Sequence, residues 1–469
     1  MRKPHGVDLN DLRDWIGLLK QEEDLVEIDI PVDEVHAIGP ITRSAFKRNL
    51  PVLHFRNLLH SEASLLVNAF ASRRRLALLL GTEEGHLVQE YIKRSDRNRW
   101  CLPQVAEKAP CKEKKNFHEA VDIRRFPQTV WNPCDGGPYF TMGMVRVRNP
   151  ENGTANVSVN RLQVKDRNHL TIFTNKERGL GRAIWKYWER GEPAPVVVTF
   201  GGDPFYLLAA IDTPGPDEDE MALAGGIKGH PLEVAYGEIC RDLDFPAGAE
   251  VVFEGVVHPE SYADEGPFGE VNGYLSEQGV APVMEIQAIT HREDPVFSGT
   301  YAGIPPVETT VIQDLMIEAT LTKTLLKSGV DVAQIHIVPG SGGHQAAISI
   351  RKRNESDLRR VIRFSMAVLP IKQVLVTDAD VDVSIPEQRQ WVLSTRFDPA
   401  KDIHLIPHAP AINIDPMAQE LDGKKTVTKM VLDATRPEWA KGNPFIIAKS
   451  LVEQAEEFLN KYVPFAPRD

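Results

Sequence analysis

Strand patterns dominate the middle of this 469-residue sequence. Five segments between residues 139 and 292 are rich in β-branched and aromatic residues, and one amphipathic helix pattern, GLGRAIWKYWERG ending at Gly191, lies among them. A mostly β pattern with few helices favours a barrel or barrel-like sheet as the central domain. The five segments are YFTMGMVRVRN, ANVSVNRLQV, APVVVTF, EVVFEGVV and VMEIQAITHR.

Alternating helix and strand patterns precede this region. The helix pattern DLNDLRDWIGLLKQ is followed by the strand pattern DLVEIDI, and the helix pattern IGPITRSAF by the strand pattern PVLHF. The next segment, EKAPCKEKKNF at 107–117, is polar and charged, which predicts a linker. We therefore expect residues 1–117 to form a small α/β domain and residues 118–305 to form the β-rich central domain.

An α/β pattern returns after Pro306. At roughly 150 residues per domain, a chain of this length is expected to hold about three domains, and residues 306–469 predict a C-terminal α/β domain. Its last amphipathic helix, FIIAKSLVEQAEEFLNKY, either covers its own domain or docks on a partner subunit. The patterns before it are the helices VIQDLMIEATLTKTLLKSG and ESDLRRVIRFSMAV and the strands AQIHIVPG, HQAAISI and KQVLVTDA.

The composition excludes several classes of protein. The formal net charge is -12 and no long run of Lys and Arg is present, so the electrostatic footprint of a nucleic-acid-binding protein is missing. There is no stretch of ~18 apolar residues and no signal-peptide core, so we expect a cytoplasmic protein without a membrane span. The four cysteines lack CxxC spacing, which argues against a disulfide framework and against a zinc site.

Two carboxylates flank a turn-forming sequence in EGPFGE, Glu265 to Glu270. Neither a strand nor a helix brings positions five apart together, but Gly266, Pro267 and Gly269 favour a turn that could aim both acids into one space. Two neighbouring acids raise each other's pKa and a nearby cation lowers it, so one carboxyl can stay protonated while the other is ionised. The alternative is a solvated acidic turn.

A strand pattern with a single arginine lies upstream of this turn. In NVSVNRLQV, a strand would place Asn156, Ser158 and Asn160 on one face and Arg161 on the other, among valines. A buried guanidinium is costly unless an anion meets it, and that anion is either a structural carboxylate or a substrate. Further along, the acids at 217–220 precede a helix pattern and either offset its dipole or ligate a hard cation.

Taken together, several segments resemble the UbiD family of prenylated-flavin-dependent decarboxylases. They are NVSVNRLQVKDRNHL, EMALAGGIKG, EGPFGEVNGY and TKMVLDATRP, and with the opening DLRDWIGLLKQEEDLVEID they span nearly the whole chain in the family's order. The resemblance implies a mixed α/β (α+β) fold in which a central flavin-binding split β-barrel lies between N-terminal and C-terminal α/β domains. It also implies a homodimer or homohexamer.

The resemblance further implies roles for individual residues. Glu270 matches the family's proton donor, and Glu265 with Arg161 matches the pair that holds the substrate carboxylate and tunes the cofactor. Asn156 and Glu220 match ligands that link Mn²⁺ or Mg²⁺, with K⁺ as a further cation, to the flavin phosphate. The residues that match stretches contacting prenylated FMN are Asn156, Ser158, Val159, Asn160, Arg161, Phe173, Thr174, Asn175, Arg178, Gly179 and Lys429.

One position departs from the family pattern. Several members have a metal-binding His just before an Arg-Gly pair, where this chain has Glu177 in NKERGLG. A carboxylate can ligate Mn²⁺ or Mg²⁺ as imidazole can. Glu177 is therefore expected to be a third metal ligand, unless the loop aligns with a gap and leaves a two-residue site.

The expected activity is the non-oxidative decarboxylation, reversible in principle, of an aromatic, heteroaromatic or α,β-unsaturated carboxylic acid. Loss of CO₂ from an sp² carbon would leave an unstabilised carbanion, so a cofactor must act as electron sink and an acid must protonate that carbon. A flavin prenyltransferase is the implied supplier of the cofactor, and neither nucleic acid nor a membrane is an expected partner. Two alternatives stay open, a flavin-binding non-catalytic subunit of a larger carboxylase and a metal-dependent hydrolase.

Overall fold

A four-stranded sheet with helices begins the chain, and the computed structural model describes residues 9–212, 214–215, 218–436 and 449–462. The two helices and two strands predicted in this region are all present. Asp11 caps the first helix, because its carboxylate accepts a hydrogen bond from the Asp14 backbone N–H at 2.9 Å. The elements are α1 Leu12–Gln21, β1 Leu25–Ile28, α2 Ile38–Lys47, β2 Val52–Phe55, β3 Ser64–Val67, α3 Arg73–Leu79 and α4 Leu87–Arg94.

Short strands and the barrel strands follow along the chain, with three helices between them. All five predicted barrel strands are present, and an additional strand follows the second of them. The elements are β4 Gln104–Val105, β5 Lys114–Phe117, β6 Tyr139–Arg148, β7 Ala155–Val164, β8 His169–Ile172, α5 Gly179–Trp188, β9 Ala194–Phe200, α6 Pro204–Ile211, α7 Glu220–Lys228, β10 Glu233–Tyr236, β11 Asp244–Pro246, β12 Val251–Glu265, β13 Gly279–His291 and β14 Val296–Gly299.

Six antiparallel strands close into a barrel in this central region. Their order is β12-β9-β6-β7-β8-β13, and β13 pairs back onto β12 to complete the ring, so the barrel has no open edge. Phe140, Phe200 and Phe253 pack edge to face in its core, with ring centroids 5.1, 5.4 and 5.8 Å apart. The predicted barrel is thereby confirmed.

The segment predicted as a linker, 107–117, is not one. Its last four residues form β5, which pairs antiparallel with β13 and places Phe117 opposite Ala288. Cys111 within it is buried. The polar side chains of β5 lie on a largely exposed strand while its backbone is hydrogen-bonded, so composition alone indicated a loop where long-range pairing makes a strand.

The C-terminal part holds the long helix α8 and a mixed sheet of order β15-β16-β17-β20-β18, with β19 paired to β20. The helices and strands predicted between residues 311 and 379 are present here. The elements are α8 Glu308–Lys327, β15 Val332–Ile337, β16 Gln345–Ile350, α9 Glu355–Ser365, β17 Gln373–Asp378, α10 Pro386–Thr395, β18 Ile403–Pro410, β19 Gln419–Leu421, β20 Lys424–Ala434 and α11 Lys449–Tyr462.

Candidate active site

Arg161 meets both acids of the EGPFGE turn. Its Nε lies 2.9 Å from Glu265 Oε1 and its Nη2 lies 2.8 Å from Glu265 Oε2, while its Nη1 contacts Glu270 Oε1. The three side chains are only 7%, 3% and 14% exposed, in the order Arg161, Glu265, Glu270. The turn therefore brings two acids from neighbouring positions of the chain around one guanidinium, and the alternative of a solvated acidic turn is wrong.

The turn depends on its first glycine. Strand β12 ends at Glu265, and Gly266 adopts φ +87°, a left-handed conformation that residues with a Cβ rarely accept. A Cβ at this position would also lie 2.9 Å from the Glu277 carbonyl oxygen. Because the chain reverses here, Glu270 returns towards Arg161, and its backbone N–H donates to the Tyr274 carbonyl at 2.8 Å.

Aromatic rings line the guanidinium. The Phe173 ring centroid lies 3.7 Å from Arg161 Cζ and the Phe268 centroid lies 5.2 Å from it, which places the cation against two π faces. Burial opposes the charge on Arg161, but the hydrogen bonds and charges of Glu265 and Glu270 outweigh it and raise its pKa. Arg161 thus stays cationic in a nearly dry environment.

The two acids differ in their environment. Glu265 accepts both parallel bonds from Arg161 and a third, at 3.1 Å, from the Tyr139 hydroxyl. Burial raises the pKa of Glu270 above its usual value, and the Arg161 charge only partly offsets this. The raised pKa of Glu270 suits a general acid.

A second polar cluster joins β7 to α7. Asn156 Nδ2 donates to Glu220 Oε1 at 2.7 Å and the Val157 N–H donates to Glu220 Oε2 at 3.0 Å. Asn156 Oδ1 is buried and has no hydrogen-bond partner among the described residues, and a Cβ at Gly179 would lie 2.9 Å from Asn156 Nδ2. Burial raises the pKa of Glu220 to about 7. An unsatisfied amide oxygen beside a buried carboxyl fits a hard divalent cation.

The three parts of the chain each match one protein family. Residues 16–95, 104–305 and 310–434 match the N-terminal, Rift-related and C-terminal domains of 3-octaprenyl-4-hydroxybenzoate carboxy-lyase, UbiD. The chain belongs to the UbiD family. The resemblance expected from the sequence motifs is therefore confirmed, together with the mixed α/β fold that it implied.

Solved UbiD-class structures share this fold over almost their full length. The enzyme HmfF from Pelotomaculum thermopropionicum, in complex with FMN, is 27% identical with a TM-score of 0.87, covering 95% of this chain and 99% of that one. Vanillic acid decarboxylase from Sedimentibacter hydroxybenzoicus, in an open form, is 28% identical with a TM-score of 0.85 and coverages of 96% and 98%. The apo 3,4-dihydroxybenzoic acid decarboxylase from Klebsiella pneumoniae is 25% identical with a TM-score of 0.85 and coverages of 97% and 100%.

Most of the residues that the family resemblance predicts to contact the cofactor lie near one another. Asn160 Nδ2 donates to Ser158 Oγ at 2.8 Å on β7, and Val159 between them is half-buried. The 173–179 segment leads from β8 into α5, whose first residue, Gly179, lies against Asn156. In that segment, Phe173 lies over Arg161, the Thr174 hydroxyl is buried without a described partner, Asn175 Oδ1 accepts from the Arg178 N–H, and the Arg178 charge reaches Glu270.

Two predicted residues are placed differently. Glu177 is exposed, whereas Asn156 is half-buried and Glu220 is buried. Lys429 is buried on β20 in the C-terminal sheet, where its Nζ donates to the Met366 carbonyl at 2.9 Å and burial lowers its pKa to about 8. Both assignments stay predictions.

Residues that the sequence did not single out also touch the trio. Tyr139 donates to Glu265, and Ser276 Oγ accepts from Arg161 Nη2 at 3.4 Å and from the Phe268 N–H at 3.0 Å. Tyr139 begins a strand pattern with aromatic residues, YFTMGMVRVRN, that is typical of a core strand. This pattern does not indicate a functional hydroxyl. The neighbouring DGGP sequence, typical of a tight turn beside a strand, was the available signal.

Proposed function

We propose that this UbiD-family chain is a prenylated-FMN-dependent carboxy-lyase acting on an aromatic, heteroaromatic or α,β-unsaturated carboxylic acid, reversibly in principle. The observation that carries the proposal is the buried cluster of Arg161, Glu265 and Glu270, an anion-binding cation beside an acid with a raised pKa. UbiD-class relatives solved with FMN and with prenylated FMN support the cofactor.

Each residue of the trio has a distinct task. Prenylated FMN, when bound, supplies the electron sink that removal of CO₂ from an sp² carbon requires. Arg161 pairs the substrate carboxylate and is held in orientation by its two bonds to Glu265. Glu270 donates the proton to the carbon that has lost CO₂.

Arg161 couples the binding of substrate to the protonation of Glu270. Every nitrogen of Arg161 already contacts a carboxylate, so an incoming substrate anion competes with Glu270 for Nη1. A protonated Glu270 is a weaker partner for the cation and yields this position. A substrate carboxylate therefore favours the protonated, proton-donating form of Glu270, since it replaces the Arg161 ion pair by a like charge.

The proposed metal site uses Asn156 and Glu220, with Glu177 as a third ligand. A divalent Mn²⁺ or Mg²⁺ held there would offset the negative charge of the flavin phosphate, and K⁺ is a further candidate cation. The buried Asn156 Oδ1 and the Glu220 carboxyl supply the oxygen donors that such ions prefer.

The proposed setting of the enzyme is the cytoplasm, where a flavin prenyltransferase supplies the cofactor. Among the described residues, no helix is both long and apolar enough to cross a membrane.

A homodimer or homohexamer is the proposed assembly. It is supported by exposed apolar side chains on α11, since Leu451, Phe458, Leu459 and Tyr462 are 45–59% exposed.

The test is CO₂ release from a panel of carboxylic acids by holoprotein produced alongside a flavin prenyltransferase. The wild type should turn over at least one acid, and Glu270→Gln should abolish turnover while retaining flavin. Glu260→Gln, an exposed glutamate on the same strand as Glu265, is the matched control. Flavin binding without turnover across the panel would favour the non-catalytic subunit, and activity without flavin would favour a metal-dependent hydrolase.

A further inference from the structure

The segment before β6 clamps the EGPFGE turn. The Gly136 N–H donates to the Pro267 carbonyl at 2.7 Å, and the Gly269 N–H donates to Asp135 Oδ1 at 2.9 Å. A Cβ at Gly136 would lie 2.2 Å from the Gly266 carbonyl oxygen, so the two backbones are in direct contact. The turn that carries both acids is therefore held from outside the barrel strand to which it belongs.

Tyr139 contributes the central bond of this clamp. Its side chain is 1% exposed, and its ring packs on Phe268 at a centroid distance of 4.5 Å. Its hydroxyl oxygen accepts from the Gly266 N–H at 3.1 Å and lies 3.1 Å from Glu265 Oε1. Because the Gly266 N–H can only donate, the single hydroxyl proton is available to point at Glu265.

The Tyr139 hydroxyl contributes hydrogen bonds, whereas the packing of the ring does not require it. A phenylalanine would fill the same volume, but it would leave the Gly266 N–H unpaired and take one of three donors from Glu265. Burial and the Glu265 charge both raise the pKa of Tyr139, so its proton stays on the phenol oxygen. The bond is thus a fixed donor to the same oxygen that accepts from Arg161 Nε.

We propose that Tyr139 is a positioning residue for decarboxylation, because its hydroxyl orients the Glu265 carboxylate that holds Arg161 and pins the start of the turn that places Glu270. The inference rests on the proposed function. Tyr139 itself need not touch substrate or cofactor. It acts through Glu265 and Gly266.

The test compares Tyr139→Phe with Tyr91→Phe in the holoenzyme. The Tyr91 hydroxyl donates to Asp212 at 2.6 Å, so the control removes the same kind of bond from a buried tyrosine of the N-terminal part. Tyr139→Phe should lower kcat at least tenfold with flavin content unchanged. It should also change the pH profile of kcat/KM, because the carboxylates around Arg161 lose a fixed hydrogen-bond donor and the turn loses its bond at Gly266. Tyr91→Phe should lower thermal stability and leave the pH profile in place.

A second readout does not depend on turnover. The Nε–H resonance of Arg161, assigned by its loss in Arg161→Lys, should be protected from solvent exchange in the wild type and in Tyr91→Phe but exchange faster in Tyr139→Phe. Unchanged exchange together with a wild-type pH profile would overturn the positioning role. A wild type that turns over no acid would count against the proposed function instead, and the exchange measurement would still decide whether Tyr139 orders Arg161.

Discussion

Arg161 holds Glu265 by two parallel hydrogen bonds, Nε to Oε1 at 2.9 Å and Nη2 to Oε2 at 2.8 Å, and its third nitrogen contacts Glu270. Only a planar fork of donors can serve two carboxylates in this way, because an ammonium is a single point charge on a flexible stem. The geometry of the site therefore depends on the guanidinium and not merely on a positive charge.

The first prediction is that Arg161→Lys loses about 100-fold in kcat/KM, a loss typical of a group displaced by roughly 1 Å. Flavin content should be retained. CO₂ release from the best substrate measures the effect, with Arg190→Lys as control, since Arg190 is exposed and donates to the Pro150 carbonyl. More than a tenth of wild-type activity in Arg161→Lys would contradict the role of the fork.

The second prediction concerns pH and stability. The pKa of Glu270 is raised above 4.5 by burial, so the folded state binds this proton more tightly than the unfolded chain does. The contribution of Glu270 to the stability of the folded state is complete below its pKa in the unfolded chain. It is lost as pH rises through its pKa in the folded protein. Glu270→Gln should therefore raise the Tm of the apoprotein by a few degrees at pH 8 and change it less at pH 5. Thermal unfolding at both pH values tests this, and an equal shift at both would refute it.

The barrel and the site were predictable to different degrees. The barrel strands are local runs of β-branched and aromatic residues, so their existence could be inferred from the sequence. Strand β5 could not, because only its pairing with β13 makes the polar segment 114–117 a strand. The burial of Glu265 and Glu270 likewise depends on Arg161, more than 100 residues away in the chain. The spacing of the two acids did not exclude a solvated turn. The family resemblance identified Arg161 as their partner.

The third prediction is that Glu220→Gln weakens Mn²⁺ binding to the FMN-loaded protein at least tenfold, measured by titration calorimetry. A neutral amide loses the charge that a hard cation prefers. Glu218→Gln is the control, because Glu218 lies two residues away but pairs with Arg97 at 2.9 Å. Glu177→Gln should also weaken binding if Glu177 is a ligand. Unchanged Mn²⁺ affinity in Glu177→Gln would mean that Asn156 and Glu220 are the two protein ligands and Glu177 is not a third.

The fourth prediction separates stability from binding at Lys429. Burial lowers its pKa from 10.5 to about 8, so charging it penalises folding below pH 8, and the penalty fades as pH rises towards 10.5. Lys429→Met should stabilise the apoprotein at pH 7 by roughly 1–3 kcal/mol after loss of the bond to Met366. It should also weaken FMN binding if Lys429 contacts the phosphate. Denaturant unfolding and FMN titration measure the two effects, and unchanged FMN affinity would remove Lys429 from the cofactor site.

The fifth prediction concerns α11. Leu451, Phe458 and Tyr462 follow one face of this helix at spacings of seven and four residues, and each is 56–59% exposed. Apolar side chains grouped in this way favour burial against a second copy of the chain. Phe458→Glu should therefore lower the molar mass measured by light scattering from that of an oligomer to that of the monomer. Glu457→Lys changes the charge on another face and should leave the assembly intact. An unchanged mass for Phe458→Glu would exclude this face from the subunit interface, because a carboxylate cannot be buried there without a large loss of affinity.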